Sequence, residues 1–119
     1  GAYDPRLSSY ASFSGRGYTR ILHEIKPDLA APGVNIPAPR SGGGYASFTG
    51  TSFATPFVSG SAALMMEWGI LRGNDPFLYG EKLKAYLIAG AKPIASESEY
   101  PNRRVGWGIL CTAKSLPHM

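Results

Sequence analysis

The segment GTSFATPFVSGSAALMMEWG, residues 50–69, constrains the fold more than any other stretch of this chain. It opens with a glycine and two hydroxyl residues, Thr51 and Ser52. It then turns apolar through Phe53, Phe57, Val58, Leu64, Met65, Met66 and Trp68. Residues 52–68 have a helix's length, with apolar side chains around nearly the whole circumference, which marks a buried helix rather than a surface one. Pro56 falls within the first turn or so, where a missing N–H costs little, so the helix is expected to start at Thr51 or Ser52. The small residues Ala54, Ser59, Gly60, Ala62 and Ala63 would let it pass through a crowded interior. A Gly60→Val change is accordingly expected to overpack it, at a cost of about 1–3 kcal/mol.

The polar start of this helix has two readings. Thr51 or Ser52 could be an N-cap, a position where both residue types are favoured. Alternatively, Gly50 lets the backbone approach another segment closely, and a buried helix aims its positive end and free N–H groups at whatever lies beside Ser52. That arrangement suits a nucleophile whose attack creates an oxyanion. These residues alone leave both readings open.

The rest of the chain places this helix in an α/β setting. At 119 residues one domain with a modest core is expected. Fifteen glycines and ten prolines punctuate the chain, and its first half breaks into short pieces. Strands are expected near Tyr10 and Phe13, around Asp28–Ala31 before a Pro32–Gly33 turn, and over Tyr45–Phe48 after a mobile-looking Gly42–Gly44 run. An amphipathic helix is expected near 80–89, with Leu83 and Leu87 on one face, Lys82 and Lys84 outward, and Gly90 as its end. VGWGIL, residues 105–110, reads as a short strand whose glycines allow close packing.

Several function classes fall away. The net charge is +4, but the basic residues are scattered and only Arg103 and Arg104 adjoin, so no nucleic-acid stripe is visible. No apolar run approaches the ~20 residues of a membrane span. The single cysteine, Cys111, excludes an internal disulfide. His23-Glu24 lacks the spacing of a zinc site, and Asp-rich calcium loops are absent, so no metal or other cofactor is expected. An α/β-hydrolase elbow would need glycine where Ala54 stands. The Gly42–Gly44 run lacks the ending of a phosphate loop.

GTSFATPFVSG resembles the catalytic-serine signature of the subtilisin-like serine proteases, the subtilases, at Gly50, Thr51, Ser52, Ala54, Pro56, Val58 and Gly60. GAYDPRLSSYASFSGRG, KPDLAAPGVNI and VGWGIL resemble further segments of that family, all in family order. The resemblance spans essentially the whole chain. It implies a doubly wound, mostly parallel α/β sheet with the 52–68 helix buried against it. It also implies that Ser52 is the nucleophile, that its N–H serves the oxyanion hole, and that the Thr51 hydroxyl assists. Phe57 stands where many members carry a histidine other than the catalytic base. It is expected to pack additional apolar surface there.

The family order is Asp, His, an oxyanion Asn, then Ser. A seryl nucleophile is weak until an oriented base takes its proton. His23 lies outside the family's His-Gly-Thr context and is expected on a loop or surface, while His118 is penultimate. Asp28 belongs to the structural Pro-Asp-x-x-Ala-Pro segment, Asp4 to a turn with Pro5, and Asn35 to PGVNI. Residues 1–119 therefore resemble the C-terminal portion of one subtilase catalytic domain, with the catalytic Asp, His and Asn upstream. The implied function is peptide-bond hydrolysis by a serine endopeptidase, with this chain inactive alone. The competing class is a truncated, non-catalytic module that binds peptide or a partner subtilase chain. The implied partners are a peptide or protein substrate and the upstream portion, with homo-oligomerisation of the chain on its own. Neither nucleic acid nor membrane is expected. Secretion or a cell-envelope location would fit the family.

Overall fold

In the computed structural model, residues 1–116 are described. Strand β1 (Ala2–Asp4) is central: it pairs antiparallel with β2 (Ser9–Tyr10) and parallel with β5 (Ala31–Pro32). Two antiparallel hairpins flank this sheet, β3 (Gly17–Tyr18) with β4 (Ile25–Lys26), and β6 (Ile36–Pro39) with β7 (Tyr45–Phe48). Helix α1 (Thr51–Met66) runs directly into a π-helical turn, Glu67–Leu71, followed by α2 (Gly80–Ala89) and the short α3 (Thr112–Ser115).

Small side chains decide how α1 meets the sheet. Ala2 and Ala11, with Ala31 from β5 and Ala54 from α1, form one buried cluster. Four methyl groups at this contact let helix and strands approach closely. Further along α1, Met65 packs with Leu78, Leu83, Leu87 and Leu116 in a second cluster. The expected amphipathic face of α2 is there, with Leu83 and Leu87 buried and Lys82 and Lys84 exposed. Ser61, also buried, accepts a hydrogen bond from Thr112 Oγ1 at 2.6 Å and so ties α1 to α3.

Several expectations need correction. Only Ala54, Ser61 and Met65 of α1 are buried, because β1, β5 and α2 pack against one side of the helix while much of its remaining surface is exposed. A Cβ at Gly60 would meet nothing within 4 Å, so Gly60→Val does not overpack this chain. Phe57, Leu64 and Leu71 are 42%, 60% and 81% exposed. Pro56 sits inside the helix, beyond its first turn, so the helical bond to the Ser52 carbonyl, four residues back, is lost. Pro32 lies in β5 rather than in a turn, and Asp4 ends β1. VGWGIL forms no continuous strand: Gly106 and Gly108 adopt φ of 60° and 129°, and the segment makes isolated bridges, Ile109 to Ala30 and Lys92 and Gly106 to Asn102. Phe13 lies outside β2, in an exposed turn.

The radius of gyration, 15.1 Å, exceeds the roughly 13.5 Å expected of a compact chain of this length. Gly60→Ala should stabilise residues 1–119 by about 0.5–1 kcal/mol, because helix propensity is gained and no contact is crowded. Chemical denaturation reads this directly. A destabilised variant would mean that Gly60 itself is packed tightly against a neighbour in solution.

Candidate active site

Thr51 and Ser52 are the first two residues of α1, and both are exposed. The N-cap is Gly50, at φ 154° and ψ 162°, and no side chain caps the helix. The N-cap reading of Thr51 and Ser52 therefore does not describe this chain. The Phe53 N–H bonds back to the Gly50 carbonyl at 3.1 Å, leaving the N–H groups of Thr51 and Ser52 as open donors. The first turn contains no acidic residue, so the positive end of the helix is not offset by local charge. Thr51 takes part through its carbonyl, which accepts from Thr55 Oγ1 at 3.0 Å. The Ser52 hydroxyl has no hydrogen-bond partner among the described residues.

The backbone around Ser52 is set by Gly33. Its N–H donates to the Tyr3 carbonyl at 3.0 Å, and its carbonyl accepts from the Gly50 N–H at 2.8 Å. A Cβ at Gly33 would stand 2.8 Å from the Ala2 Cβ, 2.9 Å from the Gly50 carbonyl and 3.3 Å from the Ala54 Cβ. The Ala-Pro-Gly segment thus presses β1 and the start of α1 together. On the other side, Phe48 stacks on Phe53 with centroids 4.9 Å apart and planes at 13°. Neither contact follows from helix or strand periodicity. The signal for the first was Pro32–Gly33, which reads locally as a turn.

The remaining candidate groups are not brought to Ser52. His23 lies in the exposed β3–β4 loop at φ 51°. His118 is outside the described residues. Asn35, at φ 54°, donates its N–H to Thr49 Oγ1. Asp4 accepts from the Arg6 N–H. Asp28 is bound by Lys26 at 2.9 Å and Lys84 at 3.3 Å, which anchors the β4–β5 connection to α2. Desolvation pushes the Asp28 pKa up, but hydrogen bonds from Lys26 and Lys84 outweigh it and hold the carboxyl below its ordinary range. A cavity of about 430 Å³ between β5, α1 and α2 is lined by Asp28, Leu29, Ala54, Val58, Lys84 and Leu87, not by Ser52. Phe57 lines an apolar groove of about 270 Å³ with Phe53, Pro56 and β6.

This constellation of a sheet, an Ala-Pro-Gly strand exit and a Gly-Thr-Ser helix start has clear relatives. The sequence profile of the subtilase family, Peptidase_S8, matches residues 1–108, and the chain belongs to that family. The PII-type proteinase of Lactococcus lactis subsp. cremoris is 43% identical over 101 residues, covering 72% of this chain and 5% of that protein. Serine protease AprX of Bacillus subtilis is 42% identical over 121 aligned positions, covering 90% of this chain and 25% of that protein. The Clostridium perfringens CspB protease structure superposes with a TM-score of 0.90 at 48% identity, over 97% of this chain and 24% of that one. The fold is thus the subtilisin-like α/β fold, and the chain spans a quarter or less of each of these relatives.

The depressed Asp28 pKa stabilises the folded chain above the ordinary carboxylate range, and that contribution is lost as pH falls below about 4. Asp28→Asn should narrow the gap between melting temperatures at pH 7 and pH 3. An unchanged gap would mean that Lys26 and Lys84 do not favour the charged carboxylate.

Proposed function

We propose that residues 1–119 are the C-terminal part of a serine endopeptidase catalytic domain and that Ser52 is its nucleophile. The observation that carries this reading is an uncapped seryl hydroxyl beside open N–H groups at a helix start, within a Gly-Thr-Ser-x-Ala-x-Pro motif. In the proposed reaction Ser52 Oγ attacks the scissile carbonyl and a histidine outside this chain takes its proton. The Ser52 N–H stabilises the oxyanion, with the Thr51 hydroxyl assisting. The histidine returns the proton to the departing amine. Water then releases the acyl group and regenerates Ser52.

The family's base, its orienting carboxylate and the oxyanion Asn would come from upstream. The relatives are four or more times longer than the matched region, which leaves room for such a portion. The exposed Phe57, Leu64 and Leu71 of α1 and the adjoining π turn are where it would pack.

Two measurements test this reading. The full-length chain should hydrolyse peptide substrates, with Ser52→Ala reducing the rate by several orders of magnitude. Residues 1–119 alone should give no measurable turnover. Robust hydrolysis by 1–119 that Ser52→Ala abolishes would reveal a base within this chain, which His23→Ala and His118→Ala would locate. A full-length chain that binds peptide without cleaving it would establish the non-catalytic role instead. The open apolar face should also make 1–119 self-associate, so light scattering at micromolar concentration should exceed the 12.7 kDa monomer mass. A compact monomer that binds no hydrophobic dye would contradict this.

A further inference from the structure

The turn leading into α1 is fastened at two points. The Gly50 N–H donates to the Gly33 carbonyl at 2.8 Å, and the Asn35 N–H donates to Thr49 Oγ1 at 3.0 Å. The two bonds join the same pair of segments in opposite directions, one donor on each side. A single bond leaves a pivot, whereas two bonds two residues apart fix orientation as well as distance. The left-handed conformation of Asn35, φ 54°, is one that asparagine adopts more readily than most residues. The Phe48–Phe53 stack closes across the same turn, so residues 48–53 are braced by backbone on one side and by aromatic contact on the other.

Ser52 lies three residues beyond Thr49, and its own hydroxyl is held by no partner among the described residues. Its placement is therefore inherited from the backbone. We infer that Thr49 is a positioning residue for Ser52. By binding the strand exit at Asn35, its hydroxyl keeps the Oγ and N–H of Ser52 aimed at one acyl group. This rests on the peptidase reading of Ser52. The bond is solvent-exposed and one of many, so it adds little to global stability. A nucleophile displaced by an ångström, in contrast, loses on the order of 100-fold in rate. Stability and reactivity should therefore separate on mutation.

Thr49→Val removes the acceptor and keeps the shape, while Thr49→Ser restores the oxygen. The full-length chain is treated with a fluorophosphonate at several concentrations, which separates reversible affinity from the rate constant of Ser52 modification. Thr49→Val should lower that rate constant about tenfold, with affinity within about twofold and an unchanged melting temperature, because only the alignment of the nucleophile is disturbed. Thr49→Ser should react like the unaltered chain. Amide exchange at Gly50 and Phe53, the two hydrogen-bonded amides of the turn, measured on the same proteins, should rise in Thr49→Val and not in Thr49→Ser. If folded Thr49→Val reacts at the unaltered rate, the inference is overturned, even where the folded fraction has dropped. If the unaltered chain does not react at all, the peptidase reading fails. The exchange measurement then decides the clasp alone, with unchanged protection in Thr49→Val counting against it.

Discussion

The close approach of two glycines, Gly33 at the exit of β5 and Gly50 at the start of α1, is the constraint on which the rest of the structure depends. The 2.8 Å hydrogen bond between them leaves no space for a side chain at Gly33, where a Cβ would crowd the sheet, the turn and the helix together. The alanine cluster below it serves the same end, since larger residues at Ala2, Ala31 or Ala54 would lift the helix from the strands. Through this contact a strand that carries no chemistry sets where Ser52 stands.

Around that contact the chain divides its tasks. The second half of α1 is secured by leucine and methionine packing against α2 and by the Ser61–Thr112 bond to α3. The first half has fewer buried contacts and keeps its polar end open. Pro56 loosens it further by withholding the hydrogen bond that the Ser52 carbonyl would otherwise receive. A rigid distal half and an unencumbered start are what a helix needs if its first turn is to meet another molecule.

How much of this was legible in the sequence varies by element. The motif from Gly50 to Gly60 and its three companion segments revealed the family, because their order and spacing are specific even where each alone is short. Helix α2 was legible from Leu83, Leu87 and Gly90, and β7 from the alternation over Tyr45–Phe48. The partial burial of α1 is not legible, because its all-round apolar character describes a helix covered on every side, whereas these residues supply one side only. The interruption at Gly106 and Gly108 was hidden because glycine in a strand-like run signals close approach without saying which φ it takes. The Phe48–Phe53 stack and the Asn35–Thr49 bond join residues across a turn, where neither the 3.6 nor the 2.0 period applies.

The central proposal is that this braced turn positions Ser52 as the nucleophile. Mapping the adduct of a fluorophosphonate on the full-length chain by peptide mass spectrometry tests it most directly. The account predicts a single phosphonylated residue, Ser52. Modification at another serine with Ser52 left free would contradict it.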